Sequence, residues 1–203
     1  MPRPNEIREI SELARAAESA LQQIQNLIIS QSHVAEARIR FPRGYLRTTN
    51  TAYLSLPEIG DNTKRRNLAY RLLMADMCRW LISRTDIYGQ VRSLVVSEYI
   101  CILAFGAEFF VKECTFGKVG RKRKFASHTE WLRQQGYLAD DLKNEIDWLW
   151  EVRTREHLDA SDDLDHDTYS VADFNRAQKA WEKLIVILRD NKDVIMRERY
   201  GDD

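Results

Sequence analysis

An arginine and a histidine stand four positions apart in the segment Arg153-Thr154-Arg155-Glu156-His157, which ends an apolar helical pattern. Residues four apart on a helix are neighbours on one face. A guanidinium is permanently charged and can bind a phosphate through two parallel hydrogen bonds, whereas an imidazole can exchange a proton near neutral pH. The pair therefore indicates phosphodiester chemistry. The alternative is that the two residues have only a structural role, because positively charged side chains also stabilise the negative C-terminal end of a helix dipole.

Cleavage of RNA without a metal ion needs a group that moves a proton and a cation that neutralises the charge developing on phosphorus. His157 would supply the first function and Arg153 the second. Thr154 would add a hydroxyl that orients the substrate, and Arg155 would contact the RNA backbone or pair with a neighbouring glutamate. The sequence contains no GxSxG, P-loop, HExxH or glycine-rich dinucleotide motif. We therefore expect no cofactor and no catalytic metal.

Two further features are candidates for the same site. Glu108 interrupts the most apolar segment of the chain, and a carboxylate buried there would need a cationic partner. We include it among the catalytic candidates, with an exposed helix edge as the alternative. A basic run within residues 115–127 could bind the RNA backbone, or it could be a solvated loop. Its members are Lys118, Arg121, Lys122, Arg123 and Lys124.

A second arginine and histidine, Arg123 and His128, lie five positions apart. They straddle the end of the basic run and the predicted start of a helix, so the sequence does not define their relative geometry. We rank them below the pair at 153 and 157.

The composition of the chain limits its class. With 203 residues, of which 44% are hydrophobic, it can form a core, and its 31 basic and 31 acidic residues leave no global field. The three cysteines lack the spacing of a metal site and are predicted to be reduced core thiols. The N-terminus carries no apolar signal core, and no uninterrupted apolar stretch approaches about 18 residues. We therefore predict a cytoplasmic protein with no membrane segment.

Two regions follow from the hydrophobic patterning. Residues 5–30 carry an amphipathic helical pattern, and residues 41–61 hold prolines and glycines without a helical period, with an extended piece predicted at Ala52 to Leu56. Residues 1–61 are thus predicted to form an N-terminal helix and an irregular arm. Residues 62–203 are predicted to form a helical domain.

The helices of that domain have recognisable start signals. One begins near Asn62 and ends near residue 84, and Thr85 or Asp86 would cap the next, which covers residues 87–114. Ser127 with Glu130, and Ser170 with Asp173, match capping boxes, and another helix begins near Asp140. The acidic segment 159–167 fails the calcium-loop template. An all-α architecture follows.

The helical order and the motif together resemble the HEPN superfamily of compact helical domains. The resemblance covers roughly residues 68–191 and depends on the apolar helix ending in Ala107-Glu108-Phe109-Phe110, the segment 131–138 leading into residues 149–158, and a closing amphipathic helix around residues 180–184. HEPN families usually leave four to six residues between the arginine and the histidine, whereas this chain leaves three. The resemblance implies an up-and-down helical bundle with an N-terminal helical extension.

The resemblance also implies a function. HEPN proteins are often metal-independent endoribonucleases that act as toxins or phage-defence effectors on tRNA or mRNA. Arg153 and His157 from two subunits would then form one composite site across a homodimer, with an antitoxin or a partner effector protein as a further partner. The alternative is a catalytically inactive helical dimer that serves as an RNA-binding or protein-interaction module. Residues 1–61 could be a docking arm in either case.

Overall fold

A computed structural model describes residues 3–28, 46–57, 59–120, 123–155, 169–191 and residue 195. Within these residues the regular secondary structure is helical and contains no strand, which confirms the predicted all-α class. The helices are α1 (Pro4–Ile28), α2 (Thr49–Leu54), α3 (Asn62–Arg84), α4 (Gly89–Val119), α5 (Phe125–Gln134), α6 (Asp140–Arg155) and α7 (Val171–Asp190).

The chain divides into two compact units, residues 1–43 and residues 44–203. The first contains α1 and the second contains α2 to α7. The predicted boundary after residue 61 differs from this division by the segment that carries α2, which packs on α3. The extended piece predicted at Ala52 to Leu56 was wrong. Thr48 caps α2 by accepting a hydrogen bond from the backbone N–H of Thr51, and Ala52 is buried, so packing favours a helical turn.

Helix α4 is the central element of the second unit. It packs against α3, α5, α6 and α7, and each helix from α2 to α7 contacts the next one along the chain. Its length and apolar composition would allow it to cross a membrane, and 61% of its apolar window is buried within the bundle. Gly106 permits close packing here, because a Cβ atom at this position would lie 3.0 Å from the ring of Trp181.

The predicted start of α3 near Asn62 and the predicted capping box of α7 are confirmed. Asp61 caps α3 by accepting hydrogen bonds from two backbone N–H groups, and Ser170 and Asp173 form the predicted capping box of α7. Two starts were wrong. Helix α4 begins at Gly89 after Tyr88, beyond Thr85 and Asp86, and α5 begins at Phe125, which places Ser127 inside the helix. Neither start has a side-chain cap, and Phe125 is buried, so the tertiary core sets the start of α5.

A bidentate ion pair attaches the segment before α2 to the bundle. The Nε and Nη2 atoms of Arg47 donate hydrogen bonds of 2.6 and 2.8 Å to the carboxylate of Asp76 on α3, which is 4% exposed. Arg79 adds a longer contact of 3.5 Å to the same carboxylate. A buried carboxylate is costly unless it is paired. Arg47 therefore stabilises the fold.

Candidate functional site

An open groove lies along α4 beside the end of α6. Its volume is about 310 Å³. The residues that line it combine aromatic rings with charged groups, and six of the seven come from α4: Phe105, Glu108, Phe109, Lys112, Glu113, Phe116 and Arg153. The structure thus brings two of the predicted catalytic residues, Glu108 and Arg153, into one groove.

The carboxylate of Glu108 is shared by two cations. The Nη1 atom of Arg153 donates a hydrogen bond to Oε2, and the Nζ atom of Lys112 donates one of 2.6 Å to Oε1. The side chain of Glu108 is 16% exposed, compared with 41% for Arg153 and 36% for Lys112. The predicted need of Glu108 for a cationic partner is confirmed. Because one carboxylate fixes both cations, their charged groups lie together at the groove.

Aromatic contact also positions Arg153. The guanidinium carbon of Arg153 lies 5.5 Å from the ring centroid of Phe105, and that of Arg71 on α3 lies 5.4 Å from the same centroid. Both distances are within the range of a cation–π interaction. Phe105 therefore connects cations from two helices that flank α4, so positive charge extends from the groove toward α3.

The far part of the groove is balanced in charge. Lys64 on α3 donates a hydrogen bond of 3.0 Å from its Nζ atom to Oε2 of Glu113. Near Glu108, in contrast, the two cations Arg153 and Lys112 share a single carboxylate, so these three side chains carry one more positive than negative charge at neutral pH. An anion would accordingly be attracted to the end of the groove that contains Arg153.

Packing of α6 on α4 determines where Arg153 lies. Leu149 and Val152 are buried, and the ring of Trp150 stacks on that of Phe125 with a centroid distance of 5.9 Å. These contacts fix the last described turn of α6, and Arg153 follows directly after a buried position. Its aliphatic stem can therefore stay against the bundle while its charged group reaches the groove.

The hydroxyl of Thr154 is not available as a hydrogen-bond donor to the groove. Its hydroxyl lies within hydrogen-bonding distance of two carbonyl oxygens of the preceding turn, at 2.7 Å from that of Trp150 and 3.1 Å from that of Glu151. This is the usual contact of a helical threonine with its own backbone. The predicted substrate-orienting hydroxyl is thus occupied as a donor by the helix.

The structure does not describe the side chains of two residues of the predicted site. His157 lies outside the described residues, two positions after α6 ends at Arg155. The side chain of Arg155 and the acidic segment 159–167 also lie outside them. The pairing of Arg153 with His157 therefore stays a prediction of the sequence.

The basic run is divided between a helix and an exposed segment. Lys118 belongs to the last turn of α4, because this helix continues to Val119 instead of ending near residue 114, so the prediction of a loop was wrong there. Arg123 and Lys124 are exposed, and Lys124 immediately precedes α5. Arg121 and Lys122 lie outside the described residues.

His128, the histidine of the second pair, is buried. It is 0% exposed, and its Nδ1 atom lies 2.6 Å from the hydroxyl oxygen of Thr115. That hydroxyl donates a hydrogen bond of 2.7 Å to the carbonyl of Val111, so Nδ1 is assigned as the protonated nitrogen that donates to Thr115. Within the described part of the chain, Nε2 has no hydrogen-bond partner.

Burial lowers the pKa of His128 below its ordinary value of 6.5, and the positive charge of Lys112 lowers it further, while the backbone carbonyl of Arg123 acts in the opposite direction. A neutral, enclosed imidazole can stabilise the core, but it cannot reach a polymer substrate. Since Arg123 is exposed, the second pair does not form a joint site.

The residues that sequence reasoning missed include Lys112 and Phe105, which line the groove, and Arg71, which lies near Phe105. Lys112 lies four positions after Glu108 on the same helix, a spacing at which opposite charges pair, so it had a usable signal. Phe105 lies three positions before Glu108, on the same helix face. Arg71 had no such signal, because only the packing of α3 on α4 brings it near Phe105.

The described residues contain no group of three or more histidine, cysteine, aspartate or glutamate side chains that could hold a metal ion. Cys78 and Cys114 are buried, Cys101 is partly buried, and all three are free thiols. Comparison of the chain with models of protein families, with characterised proteins and with solved structures gave no match.

Proposed function

We propose that this protein is a metal-independent endoribonuclease of HEPN type, acting as a toxin or phage-defence effector in the cytoplasm. The observation that carries the proposal is the position of Arg153, whose charged group lies at an open, aromatic-lined groove at the end of α6. Four positions further along the chain comes His157, a residue able to transfer protons near neutral pH. RNA, either tRNA or mRNA, is the proposed substrate.

In the proposed reaction, the 2′-hydroxyl of the substrate attacks the adjacent phosphorus and the bond to the 5′-oxygen of the next nucleotide breaks. His157 takes the proton from the 2′-hydroxyl and then gives a proton to the leaving 5′-oxygen, so the proton balance of the reaction closes. Arg153 donates hydrogen bonds to the non-bridging oxygens, where negative charge increases in the transition state. The products are a 2′,3′-cyclic phosphate and a 5′-hydroxyl, so the reaction consumes no water and no cofactor.

Glu108 and Lys112 have supporting functions in this proposal. Glu108 holds the guanidinium of Arg153 in the absence of RNA and competes with the phosphate for it. Lys112 compensates the carboxylate when Arg153 turns to the phosphate, because it already donates to the other carboxylate oxygen. Phe105 and Phe109 offer ring surfaces on which an unpaired base can stack. This arrangement favours a single-stranded segment or a loop as the cleaved region.

The proposal includes a homodimer. Each subunit supplies one arginine and one histidine, and the pairs of two subunits together would form the composite site. Residues 118–124 and Arg155 are proposed to contact the RNA backbone outside the groove. An antitoxin or partner effector protein would restrain the enzyme or direct it.

A second candidate function is a catalytically inactive helical dimer that binds RNA or a partner protein. The observation in its favour is that Glu108 already neutralises Arg153 in the free protein. A guanidinium with a built-in carboxylate partner is typical of a structural ion pair. The two candidates share the groove but differ in whether the phosphodiester is broken.

The test is incubation of the purified protein with total tRNA and mRNA in the presence of a chelator. We expect fragments that end in a 2′,3′-cyclic phosphate, and we expect His157→Ala to reduce cleavage by about 100-fold or more. A substrate with a 2′-deoxy nucleotide at the mapped cleavage position should resist cleavage, because it lacks the attacking oxygen.

Measurement of RNA binding by both proteins separates the two candidates. Equal binding with cleavage by wild type alone supports the nuclease. Binding by both proteins without cleavage by either supports the binding module and contradicts the nuclease.

A further inference from the structure

Helix α1 carries a regular heptad pattern. Its apolar residues are spaced alternately three and four positions apart, the spacing that keeps a stripe of side chains on one face over many turns. The positions in the described helix are Ile7, Ile10, Ala14, Ala17, Leu21 and Ile24. In heptad notation these are alternating a and d positions, and Leu13, Ala20 and Leu27 widen the stripe at the g positions.

The stripe is open to solvent along the helix. Ile7 is 52% exposed, Ile10 61%, Leu13 65% and Leu27 70%. A helix of 25 residues is about 37 Å long. Exposed apolar surface of this extent indicates an interaction site, because a soluble helix with one apolar face gains most of its stability by covering that face.

We propose that α1 pairs with α1 of a second copy of this chain, in antiparallel orientation. In this arrangement each apolar layer contains residues of matched size. Ile7 lies opposite Ile24 of the second copy, and Ile10 lies opposite Leu21. At the centre, Ala14 lies opposite Ala17, so the two backbones can approach closely where the side chains are small.

The residues beside the stripe determine the orientation. In a parallel pair, g positions lie next to e positions, which would place Leu13 against Glu18 of the second copy. In an antiparallel pair, g positions face g positions and e positions face e positions. Leu13 then lies near Ala20, which continues the apolar surface, while Glu18 lies near Ser11.

Charge complementarity also favours the antiparallel pair. Arg15 lies on the same flank of the helix as Glu18, near the middle of α1. Antiparallel pairing places Arg15 of each copy near Glu18 of the other, at two equivalent positions related by the two-fold axis. In a parallel pair, the flank with Arg15 and Glu18 would lie against Leu13 and Ala20 of the second copy, and neither of these residues can form an ion pair.

The first test is the mass of the full chain in solution, measured by sedimentation equilibrium for wild type and two matched variants. Ala17→Glu places a carboxylate in the central layer, and Ser19→Glu adds the same charge two positions away on the outer face. We expect Ser19→Glu to match wild type and Ala17→Glu to have about half its mass. A dimer held by the helical bundle would keep its mass in Ala17→Glu, so in that case the disulfide test below decides whether α1 pairs, and it does so independently of the proposed function.

A wild-type mass equal to the 23.8 kDa monomer would overturn the proposal. Equal masses of a larger size, together with no mixed disulfide in the test below, would overturn it as well. Equal masses would also be found if α1 covered its stripe with another part of its own chain.

The second test measures orientation by disulfide formation in a Cys101→Ala background, since the other two cysteines are buried. We expect a mixture of Ile7→Cys and Ile24→Cys proteins to form a mixed disulfide readily, and we expect little from either alone. Efficient dimerisation of Ile7→Cys by itself would show a parallel pair and contradict the proposal.

Discussion

The two arginine–histidine pairs of this chain have similar spacing but different surroundings. At the end of α6, Arg153 is 41% exposed and lies at an open groove with Glu108 and Lys112. In α5, His128 is 0% exposed and bonded to Thr115, while its sequence neighbour Arg123 is exposed. The first environment can admit a charged polymer, whereas the second excludes water and charge. Sequence spacing therefore identifies candidate catalytic pairs, and the burial of the side chains decides which pair can contact a substrate.

Both environments depend on α4. Lys112 donates to Glu108 in the groove, and its charge also contributes to the lowered pKa of His128. Thr115, three positions further along the same helix, is the partner of the imidazole. One helix thus presents a charged groove to solvent on one face and a polar contact to the core on another. Lys112 therefore belongs to both environments, and a substitution at this position should affect both.

The largest expected effect concerns stability at the enclosed site. His128→Ala removes a fully buried side chain and leaves a cavity, so we expect a loss of about 2–4 kcal/mol in the free energy of unfolding, measured by urea denaturation. Ser127→Ala, at the exposed neighbouring position, is the control and should change stability by less than about 0.5 kcal/mol. Similar stabilities for the two variants would show that His128 is not the core residue described above.

A pH dependence of stability should follow from the same burial. Because the folded-state pKa of His128 is lowered, its contribution is complete above the unfolded value of 6.5 and is lost as the pH falls from there through the folded-state pKa. We expect the free energy of unfolding of wild type to fall in this window with a slope of at most about 1.4 kcal/mol per pH unit. His128→Gln should have a flatter profile.

The other three histidines are present in both proteins, so the difference between their profiles isolates His128. Parallel profiles for wild type and His128→Gln would contradict the lowered pKa.

The smallest expected effect concerns the competition in the groove. Glu108→Gln removes the carboxylate charge that holds Arg153, so we expect RNA to bind about 2- to 5-fold more tightly, consistent with a partly exposed ion pair. Glu145→Gln, which affects the corresponding pair with Arg176 on α6 and α7, should leave RNA binding unchanged. Weaker binding by Glu108→Gln would indicate that the carboxylate orients Arg153 toward the RNA instead of competing with it.

Much of the fold was predictable because its signals are local. The capping side chains of Asp61 and Ser170 act within the first turn of their own helices, so three or four residues suffice to identify the starts of α3 and α7. The starts of α4 and α5 lack capping hydrogen bonds. Packing determines the start of α5, where Phe125 is buried, and such starts cannot be read from adjacent residues.

The candidate site was predictable in its chemistry but not in its contacts. An apolar surrounding indicated that Glu108 needs a cation, yet Arg153 lies 45 positions away and meets it only through the packing of α6 on α4. The burial of His128 was not predictable, because a polar residue in an amphipathic pattern can face either way until its partner, Thr115, is known. Long-range packing therefore supplied what the sequence could not.

The most direct test of the central claim compares two arginines in nearly identical surroundings. Arg153 and Arg176 are each 41% exposed, each paired with a glutamate, and each within cation–π distance of an aromatic ring, but only Arg153 lines the groove. We expect Arg153→Ala to reduce the single-turnover rate of RNA cleavage by about 100- to 1,000-fold and Arg176→Ala to leave it nearly unchanged. Equal rates for the two variants would contradict a catalytic function for Arg153.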